Sequence, residues 1–291
     1  MNVSIGRRPD AAAALDRLDE VLRSIPSRIV ACSGGIDSLV LATVAHRSDP
    51  TATIVAHTVT PAVPGEGTAR VVDYAERAGW ELRIVRSREF DDERYLSNPT
   101  DRCYYCKSNL YDAIAELRDA AGASAGSDVA LLSGANVDDL GEYRPGLTAA
   151  AERAVRHPYV EAGITKAEIR AMARELGVAD ADLPASPCLA SRLYTGTRVT
   201  ASRLRAIEAG EALVRAVTGV EVVRCRVRDR SVLIEVGPAD RAMIDDAVIA
   251  RVAATMSAIE PTITDVRLDE RDYEPGRAFI GSDTTLRSEA T

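Results

Sequence analysis

Short apolar runs alternate with longer amphipathic segments along the first part of the chain. The apolar runs predict buried strands, at residues 27–32, 53–57, 81–85 and 129–133. Apolar residues at helical spacing predict helices, at residues 10–24, 39–45, 68–79 and 103–121. Thr165 and Glu168 form a capping-box pattern, which predicts a further helix that ends at Gly177. Because strands and helices alternate in this way in βαβ units, we predict an α/β fold with a doubly wound parallel sheet.

The pattern changes after Gly196. The elements predicted there are, in chain order, helix 201–217, strands 220–227 and 232–236, helix 239–258 and strand 262–268. We therefore predict a smaller C-terminal α+β domain at residues 197–270, after a first domain at residues 1–196. Residues 271–291 are predicted to be a partly disordered tail, because Pro, Gly, Ser and Thr are frequent there.

The first predicted strand runs into a glycine-rich turn that opens the next helix. This turn reads Ser33-Gly34-Gly35-Ile36-Asp37-Ser38. Glycines let a backbone approach a ligand closely, and the N–H groups of a helix N-terminus attract anions. The turn resembles the PP-loop of the ATP pyrophosphatases, which split ATP between the α- and β-phosphates. It is not a Walker motif, because that motif requires a Lys after the glycines and this sequence has none there. We expect these residues to hold ATP and Asp37 to help hold Mg²⁺, although the helix dipole alone also favours an acid there.

The chain has five cysteines, an odd number that argues against a set of disulfides and for metal binding or catalysis. Cys103 and Cys106 are three residues apart at a predicted helix start, so their thiols share a face. Cys188 lies in a loop marked by prolines, whereas Cys32 and Cys225 are expected to be buried in strands. Zinc, a redox dithiol, an iron–sulfur site and three unrelated core cysteines all remain open. Three thiolates would suit a 4Fe-4S cluster that leaves one iron open.

Two arginine-containing segments are candidates for binding a phosphate or carboxylate. Arg144 follows the loop Gly134–Asp139 at the carboxyl end of the fourth strand, where it would contact substrate or developing charge. Arg224 and Arg226 alternate along a predicted strand, so both side chains leave the same face. Without a ligand, Arg144 would simply belong to a solvated turn, and Arg224 and Arg226 to a salt-bridged sheet surface.

Composition narrows the class of protein. The chain has 291 residues, 46% of them hydrophobic, and a net charge of −8, which does not favour a nucleic-acid-binding surface. We find neither an apolar run of membrane-spanning length nor a signal-peptide pattern, so we expect a cytoplasmic protein without a membrane partner.

From about residue 15 to residue 270 the sequence resembles the LarE family, the ATP-dependent sulfur transferases of nickel-pincer nucleotide synthesis. The most specific marks are residues 33–38, Gly134–Asp139 with Tyr143–Leu147, and Pro187–Arg192. The resemblance implies that ATP adenylates a carboxylate of pyridinium-3,5-biscarboxylic acid mononucleotide, a small-molecule nucleotide. Sulfur then replaces AMP and leaves a thiocarboxylate.

The resemblance also implies roles for individual residues. Cys103, Cys106 and Cys188 would hold a 4Fe-4S cluster whose open iron carries the transferred sulfide, as in the three-cysteine branch of the family. Cys188 would act in catalysis, together with Asp37 and Arg144, which are candidates from their positions in the chain as given above. Glu211 would contact metal or substrate. The residues implied for the substrate phosphate are Ser191, Arg192, Arg224 and Arg226. A homo-oligomer and a sulfur donor protein as partner are implied as well.

Other functions fit part of this pattern. Related PP-loop enzymes that thiolate tRNA also use three cysteines, but the negative net charge and the lack of a basic stripe argue against an RNA substrate. Sacrificial transfer of the Cys188 sulfur and a nucleotide or iron–sulfur sensor without turnover are further alternatives. Amide-forming relatives are disfavoured, because we find no glutaminase-type segment.

Overall fold

The fold is described from a computed structural model of the chain, for residues 10–125, 128–141, 144–178, 181 and 187–279. The strands are β1 (Arg28–Ala31), β2 (Thr53–Thr58), β3 (Glu81–Val85), β4 (Ala130–Leu132), β5 (Val223–Arg228), β6 (Ser231–Val236) and β7 (Asp265–Leu268). The α-helices are α1 (Ala11–Arg23), α2 (Ile36–Ser48), α3 (Gly65–Ala78), α4 (Glu93–Leu96), α5 (Arg102–Ala125), α6 (Pro145–Glu152), α7 (Pro158–Glu161), α8 (Lys166–Glu175), α9 (Ala201–Thr218) and α10 (Asp246–Ile259). Short 3-10 helices lie at Glu89–Asp91, Val137–Gly141, Leu189–Arg192 and Pro238–Met243. No helix in the described ranges is long and apolar enough to cross a membrane.

The chain divides into two compact units, each assembled from separate segments. Unit 1 contains Met1–Thr60, Gly65–Arg88 and Lys107–Ser186. Unit 2 contains Pro61–Pro64, Glu89–Cys106 and Pro187–Thr291. This division differs from the single boundary after residue 196 that we predicted from the sequence.

Unit 1 contains a parallel sheet with the strand order β3-β2-β1-β4. Alternate strand residues point to opposite faces, so Val30 packs with α1, α2 and α8 whereas Ile29 packs with α5. Both faces are therefore covered by helices, which confirms the α/β fold with a doubly wound parallel sheet. The strand order reverses between β1 and β4, and ligands of such sheets bind at the carboxyl ends of the strands beside this reversal.

Local signals in unit 1 explain where its helices begin and end. The Thr165 and Glu168 capping box is present at the start of α8, and Gly177 follows that helix with a φ of +67°. The sequence of residues 143–146 predicts a loop, but this prediction is wrong for Pro145, which lies in the first turn of α6. Proline is common in the first turn of a helix, because an N–H group at that position would have no partner within the helix. Pro145 was therefore a sequence signal for a helix start.

Unit 2 is built around a three-stranded sheet with the order β5-β6-β7. β5 and β6 are antiparallel and β6 and β7 are parallel, with α9 and α10 packed together, as the predicted α+β pattern implies. The predicted helix 239–258 is divided into a 3-10 helix and α10, because Asp245 caps α10 anew.

Segments distant in the sequence join unit 2 because their apolar side chains complete its core. Ala62, Tyr95 and Leu189 are buried together with residues of α9, β5 and β6. Residues 271–279, the described part of the predicted tail, also contact this unit: the N–H of Thr195 donates to the carbonyl of Ala278 at 3.0 Å, and Ala278 is buried.

Candidate functional site

The turn between β1 and α2 has a backbone that only glycine fits at its centre. Gly34 has a φ of +80°, in the left-handed region. A Cβ added there would lie 2.4 Å from the carbonyl oxygen of Gly67 in the first turn of α3. The guanidinium of Arg70, also on α3, donates to the carbonyl of Gly34 at 2.6 Å. The PP-loop is therefore packed directly against the start of α3.

Two hydroxyl groups brace this loop from inside. The Ser38 Oγ donates to the carbonyl of Gly35 at 2.9 Å and accepts from the N–H of Ser33 at 3.1 Å. The Ser33 Oγ lies 3.2 Å from the Ser38 Oγ. Ser33 is exposed and Ser38 is buried, so the loop has one serine towards solvent and one towards the sheet. A turn held in this way keeps its amide groups in fixed directions, which suits an oxyanion ligand.

Asp37, in the first turn of α2, forms an ion pair with Lys166 at the start of α8. Burial raises the pKa of the Asp37 carboxyl above its ordinary value, and the hydrogen bond and charge of Lys166 partly oppose this rise. The Tyr159 hydroxyl donates to the carbonyl of Asp37 at 2.8 Å. The N–H of Lys166 donates to Asp138 at 2.6 Å, so the lysine is held close to the loop that follows β4. Asp37 thus has a cation beside it and a constrained backbone.

The loop after β4 lies against the PP-loop, as the sequence predicted. A Cβ added at Gly134 would lie 3.1 Å from the backbone nitrogen of Ser38, so glycine allows the close approach. Asp139 accepts from the N–H of Asn136 at 3.0 Å and from Arg144 at 2.9 Å. Arg144 is exposed and close to this loop. One residue of the family mark, Tyr143, lies outside the described residues.

His57 lies behind the PP-loop, and its function there is structural. Its Nδ1 is 2.8 Å from the carbonyl oxygen of Cys32, and its Nε2 is 3.0 Å from the Thr68 Oγ1. Burial lowers the pKa of His57, so the ring is neutral at physiological pH. Cys32 is buried against Ser38, and burial raises the pKa of its thiol, in agreement with the prediction that it is a core residue.

The three remaining candidate cysteines all belong to unit 2. Cys103 and Cys106 are in the first turns of α5, as predicted, and Cys188 is the N-cap residue of the 3-10 helix that follows it. All three are half-buried, and Cys106 and Cys188 pack against the same core. Within the described residues, no three His, Cys, Asp or Glu side chains are grouped closely enough to hold a metal ion. This gives no support to a mononuclear zinc site.

Tyr95 and Arg102 lie beside these cysteines and are almost fully buried, with exposed fractions of 1% and 2%. The Tyr95 hydroxyl has no hydrogen-bond partner among the described residues, and neither does the Nη2 of Arg102. Burial raises the pKa of Tyr95 far above its ordinary value, and negative charge on Cys106 and Cys188 raises it further. Arg102 uses its Nη1 on the side chain of Asn98 and on the carbonyl of Ala190 at 3.0 Å. Two buried donor groups therefore remain unsatisfied next to the cysteines.

Buried arginines form the other conspicuous group of unit 2. Arg192 binds both carboxylate oxygens of Glu211 at 3.0 Å and donates to the carbonyl of Cys188 at 3.2 Å. Arg192 thus anchors the cysteine loop as well as being a candidate for phosphate.

The predicted arginine pair on β5 lies on one face. Arg226 pairs with buried Glu235 at 2.9 Å. The guanidinium carbons of Arg224 and Arg226 lie 5.3 Å and 5.9 Å from the ring centre of Tyr273. Burial, and then repulsion from Arg192, lowers the pKa of Arg224. Cys225 points the opposite way, into the core.

Known proteins resemble the chain over most of its length. An uncharacterized protein of Synechocystis is 31% identical over 264 residues, which cover 90% of this chain and 96% of the relative. The pyridinium-3,5-bisthiocarboxylic acid mononucleotide synthase of Lactiplantibacillus plantarum is 28% identical over 218 residues, which cover 74% of this chain and 76% of that enzyme. The chain belongs to the family of this synthase, the LarE family. An uncharacterized protein of Methanocaldococcus jannaschii is 28% identical over 187 residues, 64% of this chain and 69% of the relative. No family model matches the chain.

The candidate residues of this LarE-family chain fall into two sets. Unit 1 brings the PP-loop, Asp37 and Arg144 together around the ends of β1 and β4. Unit 2 contains the three cysteines and the second set of polar candidates, which comprises Ser191, Arg192, Glu211, Arg224 and Arg226. Ser191 takes part in the second set through its carbonyl, which accepts from Arg226 at 3.0 Å.

Sequence reasoning missed several residues that the structure adds to these LarE-family sites. Lys166 is one of them, and a signal was available, because it follows the Thr165 N-cap of a helix whose N-terminus is suited to anions. Arg70, Tyr95 and Arg102 gave no such signal. Arg70 and Arg102 donate to backbone carbonyls, which no side-chain pattern reveals, and Tyr95 is buried among residues far away along the chain.

Proposed function

We propose that this chain is an ATP-dependent sulfur transferase that acts on pyridinium-3,5-biscarboxylic acid mononucleotide. A substrate carboxylate oxygen attacks the α-phosphorus of ATP, and pyrophosphate leaves. A sulfur nucleophile then attacks the carboxyl carbon, and AMP leaves with the electrons of the C–O bond, so that a thiocarboxylate forms. The observation that carries this proposal is the glycine-specific PP-loop in a chain of the LarE family.

Adenylation is assigned to unit 1. The PP-loop amides and the hydroxyls of Ser33 and Ser38 would bind the phosphates, and this role is supported by the fixed backbone around Gly34. Arg144 would stabilise charge that develops at the α-phosphorus. Lys166 would exchange its carboxylate partner for a phosphate oxygen once nucleotide is present. Asp37, released from the lysine, would then be available to hold Mg²⁺ beside the pyrophosphate.

Sulfur delivery is assigned to Cys103, Cys106 and Cys188. The cysteines of a 4Fe-4S cluster each bind a different iron, so their sulfur atoms need not converge on one position as they would around a single zinc ion. The donor set fits such a cluster, because it combines three half-buried thiols with the unsatisfied donors of Tyr95 and Arg102. When bound, the cluster would supply an iron-held sulfide as the nucleophile.

Binding of the substrate phosphate is assigned to Arg224 and Arg226, together with Ser191 and Arg192. Three buried guanidinium groups close to one another repel, and a phosphate dianion would offset that repulsion. Glu211 would act mainly by orienting Arg192. Tyr273 lies over the arginine pair and would keep the two guanidinium groups on the same side.

The proposal extends to the surroundings of the enzyme. Free thiols that serve as ligands require a reducing compartment, so we propose a cytoplasmic location. A sulfide that is used up must be replaced, and a sulfur donor protein is the proposed source. A homo-oligomer is proposed from the family alone.

The test is iron and acid-labile sulfide per chain after anaerobic purification. We expect about four of each in the wild-type protein, as a 4Fe-4S cluster requires, and fewer in Cys188→Ala. Cys225→Ala is the matched control, because that cysteine is fully buried in the core, and it should keep the wild-type content. Formation of AMP and pyrophosphate should depend on the mononucleotide substrate.

Four results would change the proposal. Wild-type protein that stays free of iron after reconstitution would contradict the proposed cluster. Loss of the sulfur atom from Cys188, detected by intact mass after one turnover, would identify sacrificial transfer instead. ATP that binds but is never cleaved would favour a sensor. Thiolation of tRNA without thiolation of the mononucleotide would favour the RNA-directed alternative.

A further inference from the structure

Two buried donors of unit 2, the unit that contains the three cysteines, lack partners among the described residues. The Tyr95 hydroxyl is 1% exposed and lacks any hydrogen-bond partner in the part of the chain that the structure describes. The Arg102 guanidinium is 2% exposed and has an unused Nη2. A buried donor without an acceptor destabilises a protein, and such groups are rare, so an acceptor that binds later is the expected reason for both.

The surroundings of these donors indicate an anionic acceptor. Arg102 has carbonyl and amide oxygens as partners, and no carboxylate of the described residues forms an ion pair with it. The buried carboxylate of Glu89 acts electrostatically on Tyr95, but its Oε2 likewise has no hydrogen-bond partner. The remaining groups that act on the hydroxyl are Cys106 and Cys188. An acceptor at this position would therefore be bound next to sulfur and close to a buried positive charge.

We propose that the Tyr95 hydroxyl donates a hydrogen bond to the anionic sulfur that Cys188 holds. This inference rests on the proposed sulfur-transfer function. The sulfur would be either the sulfide on the open iron of a cluster that Cys188 helps to hold, or the outer sulfur of a Cys188 persulfide. Both are anionic acceptors of the same kind, and Tyr95 is a positioning residue that keeps the sulfur from leaving to solvent before the acyl-adenylate arrives.

Phe90 and the core fix the direction of the Tyr95 ring. The two rings pack edge to face with centres 5.6 Å apart, and Tyr95 is buried with Leu189, the residue after Cys188. The N–H of Leu189 donates to the carbonyl of Ala62 at 2.8 Å, so the cysteine loop is tied to the same core. The ring that carries the hydroxyl is thus fixed in the same core against which Cys188 packs.

The first arm of the test uses metal-free, reduced, full-length protein. Tyr95→Phe removes an unsatisfied group, so the midpoint temperature of unfolding should stay the same or rise. Tyr159→Phe is the matched control, a fully buried tyrosine whose hydroxyl has a partner, the carbonyl of Asp37 at 2.8 Å. This control should lower the midpoint by about 3 °C. A fall of that size in Tyr95→Phe would show that the hydroxyl has a partner within the protein and would overturn the inference.

The second arm measures how long the sulfur stays. Anaerobically reconstituted protein is challenged with an iron chelator, and the loss of iron and acid-labile sulfide is followed. Metal-free protein is separately treated with inorganic polysulfide. There the Cys188 thiolate attacks an outer sulfur, one S–S bond breaks, and a shorter polysulfide leaves. The decay of the resulting persulfide is followed by mass spectrometry.

Tyr95→Phe should lose sulfur roughly tenfold faster than the wild-type protein in at least one of these two experiments, the loss expected for one hydrogen bond to a charged group. Tyr159→Phe should match the wild-type protein. Equal retention in Tyr95→Phe and the wild-type protein with both probes would overturn the inference. Wild-type protein that takes up no iron would instead contradict the proposed cluster, and the persulfide experiment would then decide the role of Tyr95.

Discussion

Replacement of Gly34 by alanine should disable the PP-loop while leaving the fold in place. Gly34 combines a φ of +80° with a position where a Cβ would lie 2.4 Å from the Gly67 carbonyl oxygen. The left-handed backbone alone costs an alanine about 1 kcal/mol relative to glycine. The clash adds to this cost, because backbone atoms cannot turn aside as a flexible side chain would.

The size of the effect follows from the geometry of the loop. Real Cβ atoms essentially never approach another heavy atom within 3.0 Å, so the loop and α3 must separate by about 0.6 Å. N–H···O hydrogen bonds occupy a range of only about 0.5 Å, so such a shift removes bonds to phosphate. Loss of two charge-assisted bonds corresponds to about 3 kcal/mol, or roughly a hundredfold rise in the Kd for ATP.

The assay is calorimetric titration of the variant with a non-hydrolysable ATP analogue, accompanied by urea unfolding. Gly79→Ala is the matched control, since Gly79 has a φ of +69° and nothing within 4 Å of its added Cβ. That variant should carry the backbone cost and bind nucleotide normally. If Gly34→Ala binds the analogue within about threefold of the wild-type protein, a change of less than 1 kcal/mol, the PP-loop assignment is refuted.

Three further substitutions test the electrostatics of the two units. Burial raises the pKa of the Asp37 carboxyl, so this group stabilises the fold below its unfolded pKa of 3.8, and the stabilisation is lost as the pH rises through the folded pKa. Asp37→Asn should therefore raise the midpoint temperature of unfolding at pH 7 but not in strong acid. Burial lowers the pKa of the His57 ring, so this group stabilises the fold above pH 6.5, its unfolded pKa, and the stabilisation is lost as the pH falls through the folded pKa. In His57→Gln, the free energy of unfolding should therefore depend less on pH on the acid side. Glu211→Gln should lower the free energy of unfolding by about 3 kcal/mol in urea, because it leaves Arg192 buried without its carboxylate partner.

Matched variants separate these causes from general damage. Asp49→Asn should change stability in the opposite direction from Asp37→Asn, since hydrogen bonds from Thr51 and Ala52 lower the pKa of Asp49. Glu221→Gln, at an exposed position just after α9, should change the free energy of unfolding by less than about 0.5 kcal/mol. A pH profile of His57→Gln that superposes on the wild-type profile would contradict the role given to burial. A loss in Glu211→Gln no larger than that in Glu221→Gln would contradict the buried ion pair.

Local sequence patterns were sufficient to predict the parallel sheet and much of the PP-loop. The strand, the two glycines and the helix start that form the loop are adjacent in the sequence, and backbone sterics decide their conformation before any tertiary contact forms. The approach of Gly134 was also predictable, because neighbouring parallel strands end at the same edge. The start of α5 at Arg102, which puts Cys103 and Cys106 in its first turns, followed from local pattern in the same way.

The sequence by itself therefore determined the α/β class, the glycine-rich turn between β1 and α2 and the set of cysteines. Only the tertiary structure decided that Lys166 pairs with Asp37, 129 residues away. It also decided that Tyr95 and Arg102 are buried in the unit that contains Cys188, with donor groups that lack partners among the described residues. The predicted boundary at residue 196 differs from the structure for the same reason, since the core of unit 2 takes in apolar side chains from three separate segments. The hydrophobic effect is not directional, so whether a segment joins a core depends on its shape and hydrophobicity. No periodic pattern in the sequence therefore shows which distant segments pack together.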